Sequence, residues 1–339
     1  MRTDDFDYFL PPERIAQTPV EPRHASRLLV VNRATDQLEH RHFWEVGDYL
    51  RPGDLLVVNH TRVLPARIFA RKPTGGKVEI LLLRQEEDQV WEALVGGKRV
   101  TAGLSLQLED GVSVKVEAVL DGSRRRLRFE GPVQAYLERH GQMPLPPYIH
   151  TPLSNPERYQ TVYAAQPGSA AAPTAGLHFT PELMDALRAK GVGFATVTLH
   201  VGLDTFAPVT EDDPQEHVIH TEWCQLSAET AAQIEAARQA GGRVIAVGTT
   251  SVRTLESAAR AAGPGQSVGA YSGPTDLFIL PGYKFRAVDV MITNFHLPRS
   301  TLLMLVSAFA GRERMLAAYA EAVRLEYRFF SFGDAMLIV

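Results

Sequence analysis

Val244-Ile245-Ala246-Val247-Gly248-Thr249-Thr250-Ser251-Val252-Arg253 is the stretch on which the fold turns. Four apolar, mostly β-branched residues predict a buried strand. Gly248 and three hydroxyl residues then make a loop, and apolar spacing from Val252 predicts a helix over 252–262. Unsatisfied amides at such a helix start, beside hydroxyls, can hold a carboxylate or phosphate. Glycine at the turn lets a ligand approach the backbone. The loop is not a nucleoside-triphosphate cradle, because no Gly-Lys-Ser/Thr follows.

Working outward, the same alternation recurs. Thr180-Pro181-Glu182 starts a helix, with Thr180 as N-cap, proline in the first turn and an acid at the positive dipole end. Gly191 ends it, and residues 194–199 follow as a strand. Ser227 caps an Ala-rich helix that stops at Gly241-Gly242. Downstream, residues 288–292 predict a strand, 301–310 and 313–326 helices, and 335–339 a closing strand. Upstream, 27–31 and 55–58 read as strands, the second entered through the Pro52-Gly53-Asp54 turn. Residues 62–130 differ. Short strands at 77–83, 91–95, 104–108 and 112–119 are separated by Thr74-Gly75-Gly76, Gly96-Gly97, Asp110-Gly111 and Asp121-Gly122, the spacing of a small antiparallel barrel or sandwich. Prolines between Met143 and Tyr148 close this module. The expected fold is mixed α/β: a main α/β body of residues 1–60 and 148–339, with an inserted small antiparallel β-barrel domain over 61–147.

The 339 residues are 45% apolar and 22% charged, which suits two globular domains and excludes wholesale disorder. No apolar run approaches the ~20 residues that span a bilayer, and the start is too acidic for a signal peptide. The one cysteine, Cys224, excludes an internal disulfide or a cysteine-rich metal site. A cytoplasmic protein with no membrane partner is expected, monomeric for want of a heptad seam. The net charge of −4 argues against a generic nucleic-acid binder, but residues 62–147 carry +3 and the remainder −7. Contacts to an anion such as RNA are therefore expected on local patches, of which Arg124, Arg125 and Arg126 with Arg128 make one. Glu86-Glu87-Asp88 reads as an exposed acidic turn.

Other segments can carry chemistry. His178 lies in an apolar loop of small residues, Pro173 to Phe179, that can approach a planar ligand and transfer a proton near neutral pH. His217, His220 and Glu222 lack the spacing of a zincin site, so the cluster reads as a binder of polar substrate or an orienter of a proton, and no metal is expected. Asn294-Phe295-His296 follows a buried strand, where ligands gather in α/β sheets. Tyr327 to Asp334 is dense in aromatics that can stack a base or face a cation. There is no Gly-x-Ser-x-Gly elbow and no strand-linked Gly-x-Gly-x-x-Gly.

Taken together these segments resemble one family nearly end to end, the S-adenosylmethionine:tRNA ribosyltransferase-isomerases of queuosine biosynthesis. The likeness runs through Asp4 to Pro12, Pro52 to Val57, Thr61 to Arg67 and Met143 to Ile149. It is most specific at Ala172 to Phe179, Thr198 to Gly202, Val244 to Arg253, Thr293 to Pro298 and Tyr327 to Met336. His24, His60, His150 and Leu203-Asp204 depart from the family pattern, and a longer tail after Asp334 is expected of the family. The resemblance implies an α/β body with an inserted β-barrel. It also implies an enzyme that moves and isomerises the ribosyl group of S-adenosylmethionine onto 7-aminomethyl-7-deazaguanine at the tRNA wobble position. Epoxyqueuosine-tRNA, adenine and methionine are the implied products, with no metal and no cofactor beyond the consumed S-adenosylmethionine. The implied chemistry begins with loss of a proton from the ribose carbon next to sulfonium.

On that footing His178 or His296 is expected as base or adenine-side acid, with Glu222 and Asp334 facing positive charge. Gly248, Thr249, Thr250, Ser251 and Arg253 are expected to hold the methionine carboxylate or an RNA phosphate. Phe329 and Phe330 are expected to stack a base, and Arg328 to lie beside them. Thr174, Gly176, His200, His217, His220 and Asn294 complete the expected substrate site. Arg62 and Arg67 join Arg124, Arg125 and Arg126 as expected tRNA contacts. Two rivals remain: an RNA methyltransferase, which would want the missing glycine-rich nucleotide loop, and a non-catalytic RNA-binding module using the barrel.

Overall fold

Strands that are apolar on both sides require a cover on both faces, and the main sheet has one. The structure, a computed structural model, describes residues 1–202, 209–219 and 221–339. Leu203, Asp204 and His220 therefore lie outside the described residues. The described chain divides into two compact units, one of residues 1–61, 146–166 and 172–339, the other of residues 62–145 and 167–171.

The first unit holds a nine-stranded sheet in the order Tyr271–Thr275, Glu222–Leu226, Gly193–Leu199, Leu55–Asn59, Val244–Val247, Val290–Asn294, Ala335–Ile338, Arg27–Val31, Leu38–His42. The four strands from Gly193–Leu199 to Val290–Asn294 run parallel. Ala335–Ile338 turns antiparallel to them, and so does Glu222–Leu226 on the other side. Alternate residues serve opposite faces. Leu55, Val57, Val244 and Ala246 pack with the helices Thr249–Ala261 and Thr301–Ala310. Leu56, Val58, Ile245 and Val247 pack with Phe43, Phe179 and Leu183 on the far side.

The second unit is a closed barrel of six antiparallel strands: Arg124–Phe129, Val90–Val95, Lys77–Glu87, Arg67–Arg71, Ser105–Leu108 and Ser113–Val119. Its interior takes alternate residues, Val78, Ile80 and Leu82 on one strand and Val114 and Val116 on another.

Several boundaries differ from the sequence expectations. The helix after Val247 starts at Thr249, not 252, because Gly248 at φ 86° makes the whole turn and leaves the hydroxyl residues in the first helical turn. The neighbouring strand runs Val290–Asn294 instead of 288–292. The Asp289 carboxylate accepts the Val244 N–H at 2.8 Å, which fixes the approach to the strand. Glu86 and Glu87 are strand residues, not a turn, since Arg126 pairs with both at 2.6 and 3.6 Å. The arginine cluster likewise forms a strand and not a merely solvated face: Arg124 pairs with Glu92 at 3.0 Å, and Arg128 with Glu117.

The helix Val133–His140 and the strands Leu38–His42, Glu222–Leu226 and Tyr271–Thr275 carried no clear sequence signal. Tyr271–Thr275 contains Gly273 and Pro274, which read as a turn. It is an edge strand, where a missing N–H costs no ladder bond. Among the described residues no helix is long and apolar enough to cross a membrane, and no group of three or more His, Cys, Asp or Glu could hold a metal ion.

Candidate active site

A cleft opens outside the carboxyl ends of the parallel strands, where open α/β sheets collect ligands. The space it encloses is small, about 60 Å3, and it opens outward to solvent. Gly248, Thr249 and Thr250 line it from the helix start, Asn294 and His296 from the end of the next strand. Thr174 and Ala175 line it from a short 3-10 turn, Tyr148 and Phe330 from two loops. No Asp, Glu, Lys or Arg is among its described lining residues.

Each lining group is held by local chemistry. The Gly248 N–H donates to the Ile292 carbonyl at 2.8 Å, fixing the turn that presents the Thr249 and Thr250 amides. The Ser251 hydroxyl is spent on the Val247 carbonyl at 2.8 Å. Thr250 Oγ1 is buried without a partner, which marks the helix start as a place for a ligand's polar group. Phe330 adopts φ 70°, an uncommon value for an aromatic residue, and costs about 1 kcal/mol. Its N–H is tied to the Phe295 carbonyl at 3.2 Å, and its carbonyl accepts Asn294 Nδ2 at 2.9 Å. That loop sets the Phe330 ring at a 42° tilt against Tyr148, with centroids 4.8 Å apart, and Tyr148 exchanges a hydrogen bond with Ser331 at 2.7 Å.

His296 is fastened on three sides. Its Nε2 lies 2.9 Å from Thr293 Oγ1, its N–H donates to the Tyr319 hydroxyl at 2.9 Å, and its carbonyl accepts the Tyr8 hydroxyl. Burial pushes its pKa down to about 3. His178 does not line the cleft. It lines a smaller pocket with Ser26, Arg23 and Arg158, and its Nδ1 lies 2.7 Å from Ser26 Oγ. Burial pushes His178 down to about 4, the Asn294 side chain offsetting part of that and the Arg23 and Arg328 charges adding to it. Both rings are therefore neutral at pH 7. A resting neutral imidazole can accept a proton or donate a hydrogen bond; an imidazolium acid is disfavoured at either position.

The remaining expected residues separate from the cleft. Glu222 and Arg253 form a buried pair. Glu222 also accepts the Gly202 N–H at 2.9 Å, and Arg253 donates to the carbonyls of Leu277 and Thr275 at 3.1 and 3.3 Å. Asp334 is buried and accepts the N–H groups of Arg27 and Arg328 at 2.9 and 2.8 Å, so the positive charge it faces is Arg27. Arg328 donates to the Thr18 carbonyl. Phe329 is wholly buried against Phe295 and Tyr8, turned away from the cleft that Phe330 faces. Gly176 packs against Tyr163.

His200 stacks on Trp223, centroids 5.5 Å apart, with its pKa lowered by burial and then by His60. His217 pairs with Glu211 at 2.8 Å. In the barrel, Arg67 pairs with Glu79 at 3.2 Å, and Arg125 donates to the carbonyls of Val100 and Gly122 at 2.9 and 2.8 Å. Arg62 sits partly exposed on the second unit. Sequence reasoning missed Tyr148, Thr293, Ser331 and Ser26. Tyr148, directly after the proline run, and Thr293 and Ser331, inside the most specific stretches, carried signals that could have found them.

The chain is similar to curated proteins along its whole length. The S-adenosylmethionine:tRNA ribosyltransferase-isomerase of Moorella thermoacetica is 57% identical over 345 residues, covering 100% of each chain. That of Symbiobacterium thermophilum is 57% identical over 344 residues, again covering 100% of each. A crystal structure of S-adenosylmethionine tRNA ribosyltransferase from Thermotoga maritima matches 99% of this chain and 100% of that one, with 44% identity and a TM-score of 0.58. The family described as queuosine biosynthesis protein matches residues 3–338. A mixed α/β chain matched over nearly every residue, with the most specific sequence stretches converging on one cleft, belongs to the queuosine biosynthesis protein family.

Proposed function

We propose that this protein is an S-adenosylmethionine:tRNA ribosyltransferase-isomerase. It moves and isomerises the ribosyl group of S-adenosylmethionine onto 7-aminomethyl-7-deazaguanine in the wobble position of a tRNA. Epoxyqueuosine-tRNA, adenine and methionine leave. It acts as a cytoplasmic monomer, and no metal or added cofactor takes part. The observation that carries this reading is full-length similarity to relatives that bear the name.

The cleft supports it chemically. S-adenosylmethionine is a cation at sulfur and an anion at its carboxylate. An uncharged cleft with the Tyr148 and Phe330 rings on one side suits sulfonium through cation–π attraction. The Thr249 and Thr250 amides, with the unpartnered Thr250 hydroxyl, suit the carboxylate. His296 accepts the proton from the ribose carbon beside sulfur, a role its neutral ring on the cleft wall supports. Adenine then departs as its C–N bond breaks and takes up a proton. The aminomethyl nitrogen of the tRNA base forms the new bond to the ribosyl carbon as methionine leaves with the electrons of the carbon–sulfur bond.

The test is an incubation with S-adenosylmethionine and tRNA carrying the deazaguanine precursor. Free adenine and methionine in equal amounts are expected. S-adenosylhomocysteine with a methylated RNA would point to a methyltransferase, and untouched S-adenosylmethionine to a binding module; either overturns the proposal.

A further inference from the structure

Ser331 lines both the cleft and the smaller pocket beside it, whose polar wall is Arg23, Arg158, Ser26 and His178. That pocket encloses about 20 Å3 and opens outward to solvent, which leaves room for one oxygen-sized atom. Nothing in the reaction proposed above uses it. Main-chain carbonyls fix its two arginines. Arg23 donates to the carbonyls of Gln160 and Glu157 at 2.5 and 2.9 Å, and Arg158 to that of Val20 at 2.8 Å. Each arginine thus ties down the segment that carries the other. Among the described residues no carboxylate pairs with Arg23, whereas Arg158 pairs with Glu21 at 2.5 Å. The Glu21 side chain is 73% exposed, so that pair lies at the rim and is weakly held. Burial, and next the Arg158 charge, push the Arg23 pKa down, and the Glu21 and Glu157 charges offset only part of it. A half-buried guanidinium beside a second one lacks the counter-ion that such burial calls for. Its planar fork matches the oxygens of a carboxylate or a phosphate.

The surroundings choose between those two anions. Arg23 belongs to the 3-10 turn Arg23–Ala25, whose next residue, His24, sets its ring edge-on to Trp44 with centroids 6.4 Å apart. His42 stacks on Trp44 at 4.2 Å and 8°, yet Trp44 keeps 47% of its surface exposed. An exposed indole beside a cationic pocket is the pairing that single-stranded nucleic acid uses, a base on the ring and a phosphate on the arginine. We propose that this pocket is an oxyanion site for RNA: a non-bridging oxygen of a tRNA backbone phosphate enters it and is bound by Arg23 and Arg158, with Arg158 exchanging Glu21 for the phosphate. The identity of the partner rests on the tRNA reading above; the oxyanion chemistry does not.

Filter binding of tRNA at several salt concentrations, beside equilibrium binding of S-adenosylmethionine, tests the site. Arg23→Gln is expected to weaken tRNA binding about 5- to 10-fold and to reduce the slope of log affinity against log salt by about 1, with S-adenosylmethionine affinity within about twofold. A folded Arg23→Gln with the tRNA affinity and slope of the wild type overturns the proposal. So does a variant that loses S-adenosylmethionine and keeps tRNA, which would assign the pocket to the methionine carboxylate.

Glu21→Gln changes only an exposed carboxylate at the rim, so it keeps the question answerable if Arg23→Gln fails to fold. It should tighten tRNA binding about 2- to 5-fold, because Arg158 no longer has to leave a partner. That gain should disappear in Glu21→Gln/Arg158→Gln, where the freed cation is gone. No gain, or a gain that survives in the double variant as the plain effect of one removed charge, overturns the site. If the wild type releases adenine while Arg23→Gln binds tRNA normally, the site falls and the reaction stands. If the wild type binds tRNA through Arg23 and releases no adenine, the reaction falls and the site stands.

Discussion

His296 combines two properties at one residue, a place on the cleft wall and a buried ring that stays neutral. If it takes the ribose proton, His296→Ala should lose about 10²–10⁴-fold in kcat while KM for S-adenosylmethionine changes little. Steady-state adenine release checks this, and wild-type kcat would remove His296 from the chemistry. Burial of neutral histidine also has a thermodynamic sign. The folded-state pKa values of His178 and His296, about 4 and about 3, lie below the ordinary 6.5. The unfolded chain therefore binds these protons first. Stability is complete above about pH 6.5 and declines as pH falls toward 4, by up to about 3 kcal/mol for each ring. Urea midpoints between pH 7.5 and 4.5 are expected to fall, and the slope should flatten in His178→Gln. A flat profile in the wild type would mean that these rings are not buried neutral.

At the scale of elements, the 3-10 turn Thr174–His178 carries Thr174 and Ala175 to the cleft only because Gly176 lets it lie against its neighbours. A Cβ at Gly176 would stand 2.0 Å from the Tyr163 hydroxyl and 2.8 Å from Thr161 Cγ2. Gly176→Ala should therefore cost about 1–3 kcal/mol by overpacking. The Tyr163 hydroxyl is buried without a partner, so Tyr163→Phe costs little and removes the first clash. The double variant Gly176→Ala/Tyr163→Phe should regain part of the loss in a denaturant melt; no recovery would mean that the contacts it leaves, ring Cζ at 2.9 Å and Thr161 Cγ2 at 2.8 Å, set the limit. The helix Thr249–Ala261 is shaped by the same logic. Gly248 alone takes the positive φ, so the amides of Thr249 and Thr250 open onto the cleft.

For the whole molecule the proposed partner is a polyanion, yet the chain is net negative. The barrel segment is +3 after its own acids are counted, and two of its basic residues, Arg124 and Arg126, pair with Glu92 and Glu86. Partly exposed pairs of this kind are worth about 0–1 kcal/mol each, so RNA phosphates can compete for the arginines. Replacing Arg124, Arg125 and Arg126 with Gln should weaken tRNA binding and reduce the slope of log affinity against log salt by about 2–3. An unchanged slope in filter binding at several salt concentrations would place the phosphate contacts on other residues.

The sequence by itself determined the architecture. Apolar runs such as Leu55–Val58 and Val244–Val247 can be satisfied only between two layers, and the alternating strands with glycine turns between 62 and 130 can be satisfied only by closing on each other. Local signals also named part of the cleft lining, because Gly248, Asn294 and His296 lie at strand ends. Tertiary structure alone decided which of two histidines meets the cleft. His178 and His296 both follow small-residue or strand-end signals, and only packing puts one on the cleft wall and the other in a smaller pocket beside Ser26. It also decided that Glu222 and Arg253 take each other, and that Phe330 faces the cleft while Phe329 fills the core. The physical reason is reach. Propensity and periodicity act over a few residues, whereas Ser26 and His178 are 152 positions apart and Glu222 and Arg253 31. Charge pairing and burial at such separations exist only once the sheet has brought the strand ends together.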